Sequence, residues 1–324
     1  MTDAQNHRAI FVVPPQVHLL DLTGPAHLFY EAKNYGAAIE LYFVSLNEDK
    51  GSRSSAGLML TQLEAYDRFQ LGVNDWLFIP GIEWALLSDL DFHTDIRPFY
   101  RWLAMQHKRG AKVCSVCTGA FLLAEAGILD GRKCTTHWRY INRFRQMFPA
   151  IRLDNNRLFI RDGTVYSSAG ISSGIDLALF LLEESFGGDF ALQIAKEVVV
   201  YLRRTEEDPQ LSIFLQYRNH IDARIHQAQD FMLQHIHTKF TVEEIAAEVK
   251  MSRRNLTRLF KKSTHITIGA YLEKLRVERA VHLLAQGYKL DDVAKECGLR
   301  TTNQMRSLLK KHSGVLPLDI DTLS

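Results

Sequence analysis

The chain has 324 residues, too long for one ordinary domain and suited to two. Hydrophobic residues make up 46% and charged residues 23%, which excludes wholesale disorder. The net charge of +2 gives no sign of a polyanionic partner for the chain as a whole. Four cysteines, Cys114, Cys117, Cys134 and Cys297, are too few for a disulfide scaffold. No stretch approaches the roughly 20 apolar residues that a membrane span needs. The apolar run at residues 9–13 ends at Pro14-Pro15, too short for a signal segment. The expectation is a soluble cytoplasmic protein with reduced thiols and no membrane partner.

In chain order, residues 9–13 read as a buried strand, 24–34 as a helix, and 41–45 and 76–79 as strands, the last stopped by Pro80-Gly81. A helix at 97–108, a strand at 112–116 and a helix at 119–126 follow. Helices at 175–184 and 190–202 close the region. Continuous apolar strands spaced by helices indicate a parallel sheet covered on both faces. The fold class is therefore α/β, a flavodoxin-like parallel sheet sandwich.

An acidic run at 205–210 containing Pro209 marks an edge, and no strand signal follows residue 221. The expected organisation is an α/β domain at 1–204, a linker at 205–220 and an all-α domain at 221–324. Charge divides with it. Residues 221–324 hold 17 Lys+Arg against 12 Asp+Glu, a net of +5, leaving 22 against 25, a net of −3, for residues 1–220. A basic helical domain joined to a mildly acidic α/β domain reads as an effector linked to a sensor.

Within the helical part, Thr241 with Glu244 forms a capping-box signature ahead of Ile245, Ala246 and Val249. Ser252 caps a second helix whose Leu256, Leu259 and Phe260 share one face. Residues 252–262 carry five basic side chains and no acidic one. A short cationic helix docked over another is the geometry that enters a DNA major groove. The pattern recurs about 50 residues on, with Val293, Ala294 and Leu299 inside, Gly298 at the turn, and Met305, Leu308 and Leu309 facing in. A helix at 268–286 joins the two units. Two copies make helix-turn-helix pairs a better reading than solvated helix faces.

The residues Ile245-Ala246, Ser252, Leu256, Arg258, Phe260, Tyr271, Arg276, Ala280, Val293-Ala294, Gly298 and the Gly314 to Pro317 ending resemble the AraC/XylS family of transcription regulators. The resemblance implies double-stranded DNA as partner. It places Arg253, Arg254, Asn255, Thr257 and Arg258 of the first helix, and Thr301, Thr302, Asn303, Gln304 and Arg306 of the second, against the duplex. There are departures: Ser307 stands where the family carries arginine, Thr267-Ile268 replaces Thr-Pro, and Ile320-Asp321 replaces Tyr-Arg.

In the first half, Cys117 lies between a strand and a helix in Val116-Cys117-Thr118-Gly119, a turn that strains the central residue and lifts it above the sheet. The following helix N-terminus is expected to favour its thiolate. Asp21 to Pro25 follows the first strand, and Thr135-Thr136-His137 comes later. Strand carboxyl ends gather in one crevice, so these segments converge. The set Asp21, Pro80-Gly81, Cys117-Thr118-Gly119 and His137 resembles the ThiJ/PfpI branch of the class I glutamine-amidotransferase-like superfamily over residues 8–203. The join Val198 to Arg204, Asp208-Pro209 and Tyr217 to His220 extends the resemblance to GlxA-type regulators of the AraC family.

That resemblance implies a pocket lined by Asp21, Gly24, Pro25, Gly81, Cys117, Thr118 and His137. It would sense a small-molecule effector, in a homodimer able to contact RNA polymerase. No catalytic residue, metal or cofactor is expected. Three roles for Cys117 stay open: a pocket-lining elbow without chemistry, a redox switch, or the nucleophile of a hydratase or deglycase-like enzyme with Asp21 and His137 placing protons. A Cys114–Cys117 disulfide conflicts with strand and elbow geometry.

Overall fold

A computed structural model describes residues 6–46, 50–154, 157–200, 217, 222–285 and 287–311. The expected linker at 205–220, apart from Tyr217, and the ending at 312–324 lie outside the described residues, as do 201 and 202 of the second closing helix. The chain forms two compact units, residues 1–210 and 211–324.

The first unit is built on a seven-stranded sheet. Its strands are β1 (His7–Val13), β2 (Ile39–Ser45), β3 (Glu64–Ala65), β4 (Trp76–Ile79), β5 (Lys112–Val116), β6 (Phe159–Asp162) and β7 (Val165–Ser168). They lie side by side in the order β6-β7-β5-β4-β1-β2-β3. Every neighbouring pair is parallel except β6 with β7, which is an antiparallel hairpin. The two-residue Gly163-Thr164 turn explains that hairpin, since Gly163 at its first position adopts φ +65 and such turns demand positive φ there. Two small two-stranded ribbons, Gly51–Arg53 with Met59–Thr61 and Lys133–Cys134 with Arg152–Leu153, are further strands that the sequence reading did not include.

Alternation along the strands makes two cores. Ile10 and Val12 of β1 face one side, with Phe99 and Leu103 of α2 (Arg97–Lys108) and Phe121 of α3 (Gly119–Glu125). Ala9, Phe11 and Val13 face the other, with Phe29 of α1 (Leu19–Asn34) and Leu181 of α4 (Ser172–Phe186). Phe11 stacks on Phe78 at 4.8 Å, and burial of each such ring contributes about 1.5–3 kcal/mol. Helix α5 (Gly188–Glu197) closes the unit.

One boundary needs correction. The Gly24-Pro25 pair predicts a helix starting at residue 24, because proline favours a first turn. Helix α1 instead begins at Leu19 and carries Pro25 inside it. Pro25 packs against Gly174 of α4, where a β-carbon would lie 3.3 Å from its ring. Asp21 is therefore a first-turn residue of α1, not the cap of a later helix.

Among the described residues, the second unit contains α6 (Ala223–Gln234), α7 (Val242–Glu248), α8 (Arg253–Thr264), α9 (Ile268–Ala285), α10 (Leu290–Glu296) and α11 (Thr302–Lys311). Ile245, Leu256, Phe260 and Tyr271 fill a first core with Ile225 and Ile236. Val293, Ala294, Cys297, Met305 and Leu309 fill a second with Val277 and Ala280. Helix α9 serves both, so it is the shared spine of two helix pairs. Tyr217 packs edge-on against Tyr271.

Candidate functional site

Cys117 has φ +59, a left-handed value that few non-glycine residues adopt. Two bonds hold it there: its N–H donates to Ser168 O at 3.0 Å, and its carbonyl accepts from Thr136 Oγ1 at 2.9 Å. Close packing around the elbow requires glycines. A β-carbon on Gly119 would lie 2.1 Å from Ile79 O. One on Gly81 would lie 2.5 Å from Asp21 Oδ2 and 3.0 Å from Cys117 Cβ. One on Gly170 would lie 2.9 Å from Cys117 Sγ and 3.1 Å from His137 Cδ2. The loops after β1, β4, β5 and β7 thus meet at the carboxyl edge of the sheet, where open α/β sheets place their ligands.

Asp21 is buried, and its carboxylate is held on both sides. Oδ1 accepts from the Ile171 N–H at 2.8 Å, and Oδ2 lies 3.3 Å from His18 Nδ1. His18 in turn reaches Glu83 Oε1 with Nε2 at 3.5 Å. The hydrogen bond to Asp21 raises the His18 pKa above its ordinary value. Burial lowers that of His137, whose Nδ1 accepts from the Arg139 N–H.

The thiol differs from expectation. Burial first, and then the charge of Asp21, push the Cys117 pKa well above the ordinary thiol value. The expected thiolate-favouring helix terminus is outweighed, because Cys117 is buried and faces a carboxylate. All four cysteines are free and buried, so Cys114 and Cys117 are not joined.

Of the seven residues expected to line the crevice, Asp21, Gly81, Cys117, Thr118 and His137 are brought together: Thr118 hydrogen-bonds Cys117, and its Oγ1 lies 2.9 Å from where a Gly81 β-carbon would stand. The other two serve packing. Gly24 lies against Ile175 and Pro25 against Gly174. The fully buried Thr118 hydroxyl bridges the backbone N–H and carbonyl of Ile82, at 2.9 Å each. His18, Gly170 and Ile171 were absent from the sequence reading. His18 carried a local signal, an imidazole one helical turn before Asp21. Ile171 carried none, since its strained φ +39 is set by the loop before α4.

In the helical unit, the capping box of Thr241 and Glu244 is present, and Ser252 Oγ accepts from the Asn255 N–H at 3.3 Å. Arg253, Arg254, Asn255, Thr257 and Arg258 are all exposed on α8. Arg253 is paired with Glu243 at 2.7 Å, whereas Arg254 and Arg258 project beside it. On α11, Asn303 and Arg306 are exposed and Thr302 is half-buried. Thr301 and Gln304 are engaged at the helix start: Thr301 Oγ1 accepts from Gln304 N–H, and Gln304 Oε1 from Arg300 N–H.

An elbow cysteine on a flavodoxin-like sheet, joined to paired helix-turn-helix units, defines the class of this protein. The chain belongs to the DJ-1/PfpI family, which matches residues 7–184. A helix-turn-helix domain matches residues 245–321, so the expected ThiJ/PfpI and AraC-type combination holds. The HTH-type transcriptional regulator GbdR of Pseudomonas aeruginosa is 30% identical over 225 residues, 69% of this chain and 61% of that protein. The chain thus spans about three-fifths of that relative's length. Isonitrile hydratase of Pseudomonas putida is 32% identical over 182 residues, 56% of this chain and 73% of the enzyme. The crystal structure of an AraC family transcriptional regulator from Pseudomonas putida superposes with a TM-score of 0.51 at 21% identity. It covers 59% of this chain and 99% of that one, and shares the fold. Among the described residues, no helix is long and apolar enough to cross a membrane.

Proposed function

We propose that the protein is a sequence-specific transcription regulator of the cytoplasm that binds double-stranded DNA and answers to a small metabolite. The observation that carries this reading is the face of α8. Arg254, Thr257 and Arg258 stand exposed while Leu256 and Phe260 anchor the same helix in the core. Long cationic side chains on a rigid helix supply phosphate contacts and reach base edges. Helix α11 repeats the design with Asn303 and Arg306.

The effector belongs in the crevice of Asp21, Cys117 and His137. It acts as a population shift, favouring one presentation of the DNA-binding units by binding that state more tightly. A homodimer through the α/β unit and a contact with RNA polymerase complete the scheme. The similarity to GbdR supports it. Selection of duplexes from a random pool by the full-length protein tests it: a bipartite consensus is expected, and an unenriched pool would sink the proposal.

A second reading, a cysteine-dependent hydratase, rests on the Asp21–Cys117 pairing and the similarity to isonitrile hydratase. The helix-turn-helix pairs favour the regulator. Hydration of an isocyanide by the purified protein, lost in Cys117→Ala, would reverse that preference.

A further inference from the structure

We propose that His18, Asp21 and Cys117 form a binding site for one thiophilic divalent metal ion of the zinc class. Their ligand atoms, one nitrogen, one oxygen and one sulfur, all lie within 4.8 Å of one another. The three come from two separate segments, the start of α1 and the elbow after β5, and each is fixed by backbone bonds. The His18 N–H donates to Gly81 O at 2.9 Å and the Cys117 N–H to Ser168 O at 3.0 Å.

The distances suit the ion. Zinc bonds of roughly 2.0–2.3 Å at tetrahedral angles separate the donor atoms by about 3.3–3.8 Å. His18 Nδ1 and Asp21 Oδ2 already stand 3.3 Å apart. The remaining pairs stand no more than 4.8 Å apart, so side-chain adjustments of about 1.3 Å or less bring them to the roughly 3.5 Å that one zinc–sulfur and one zinc–nitrogen or zinc–oxygen bond set.

The outer partners fit as well. A metal-bound imidazole commonly donates its other N–H to a carboxylate, which fixes the ring and strengthens the ligand. His18 Nε2 faces Glu83 Oε1 at 3.5 Å in that manner. The second oxygen of Asp21 is held by the Ile171 N–H at 2.8 Å, leaving Oδ2 directed at the other two ligands.

Charge gives the selectivity. A buried thiolate beside a carboxylate is costly when nothing compensates it. A divalent ion cancels both charges with a neutral imidazole as third ligand. Binding forms a metal–sulfur bond and releases the Cys117 thiol proton, together with any proton on His18, to solvent. The sulfur donor favours zinc, cobalt or cadmium over magnesium or calcium. Three protein ligands leave a fourth position for water or for a donor atom of a small molecule. This site stands independently of DNA binding, so the failure of either reading leaves the other intact.

The test is titration of tag-free, full-length protein with cobalt(II) chloride as the probe. One equivalent is expected to bind, with proton release and thiolate-to-cobalt charge-transfer absorption. Cys117→Ser should abolish that absorption. His18→Gln should weaken binding at least about tenfold, and Glu83→Gln by about tenfold, the usual effect of losing an outer partner. Glu83 is well exposed, so its variant keeps the test decisive if His18→Gln misfolds. Absence of saturable binding overturns the proposal. So does absorption that survives Cys117→Ser, or parental affinity in both His18→Gln and Glu83→Gln.

Discussion

Gly298 of the second helix pair lies against the carbonyl of Ile236 of the first: a β-carbon on Gly298 would come within 2.4 Å of that oxygen. Gly298 has φ +66, and Ile236 belongs to the core of the first pair. One backbone contact therefore helps set how the two helix pairs meet. Gly298→Ala should destabilise the helical unit by about 2 kcal/mol or more, since a left-handed residue alone costs about 1–2 kcal/mol. Thermal unfolding of the full chain should show the helical transition moving down while the α/β transition stays. An unmoved helical transition would contradict the contact.

On the DNA face, the three arginines of α8 should not be equivalent. Arg254→Ala and Arg258→Ala should each weaken operator binding, and a base contact should relax specificity by about 1–3 kcal/mol. Arg253 is engaged with Glu243, so Arg253→Ala should lose less. Fluorescence anisotropy on the selected duplex, at two salt concentrations, ranks them. Equal binding by all three variants and the parent would remove α8 as the reading helix.

In the crevice, Gly170 has φ +121, and a β-carbon there would come within 2.9 Å of Cys117 and 3.1 Å of His137. Gly170→Ala should displace those side chains and destabilise the α/β unit by about 1–3 kcal/mol. It should also abolish the thermal shift produced by an effector found by screening small amino acids, betaines and amides against the parent. DNA binding without effector should survive. An undiminished shift would move the effector site elsewhere.

His107 carries a pH prediction. Burial, followed by the nearby Arg132 charge, holds its pKa below the ordinary imidazole value. Its nitrogens face Arg132 Nη2 and Thr164 Oγ1, both at 3.4 Å. The unfolded chain therefore binds this proton more tightly than the folded one. The stability it contributes is complete above the unfolded pKa of about 6.5 and is lost as pH falls through the lower folded value. Urea unfolding of His107→Gln between pH 7 and 5 (about the range where histidine titrates) should show a flatter decline than the parent. Parallel curves would remove His107 from the acid sensitivity.

The sequence by itself determined what local rules control. Strands at 76–79 and 112–116 and the helix at 97–108 follow from apolar runs and periodicity, and the structure places them at those residues. The caps at Thr241 and Ser252 and the left-handed turn at Gly298 are likewise local, because each depends on residues within one turn. The β6–β7 hairpin has a local signal as well, the Gly163-Thr164 turn after Asp162.

Tertiary structure alone decided the crevice. It brought His18 and Gly170 to Cys117 and Ile171 to Asp21, and it placed the Thr118 hydroxyl between Cys117 and Ile82. It also reversed the expected state of the thiol. Strand order places chain-distant segments at one sheet edge, and no local spacing encodes that meeting. A thiol's charge then follows the burial and carboxylate it meets there, not the helix that happens to come next in the chain.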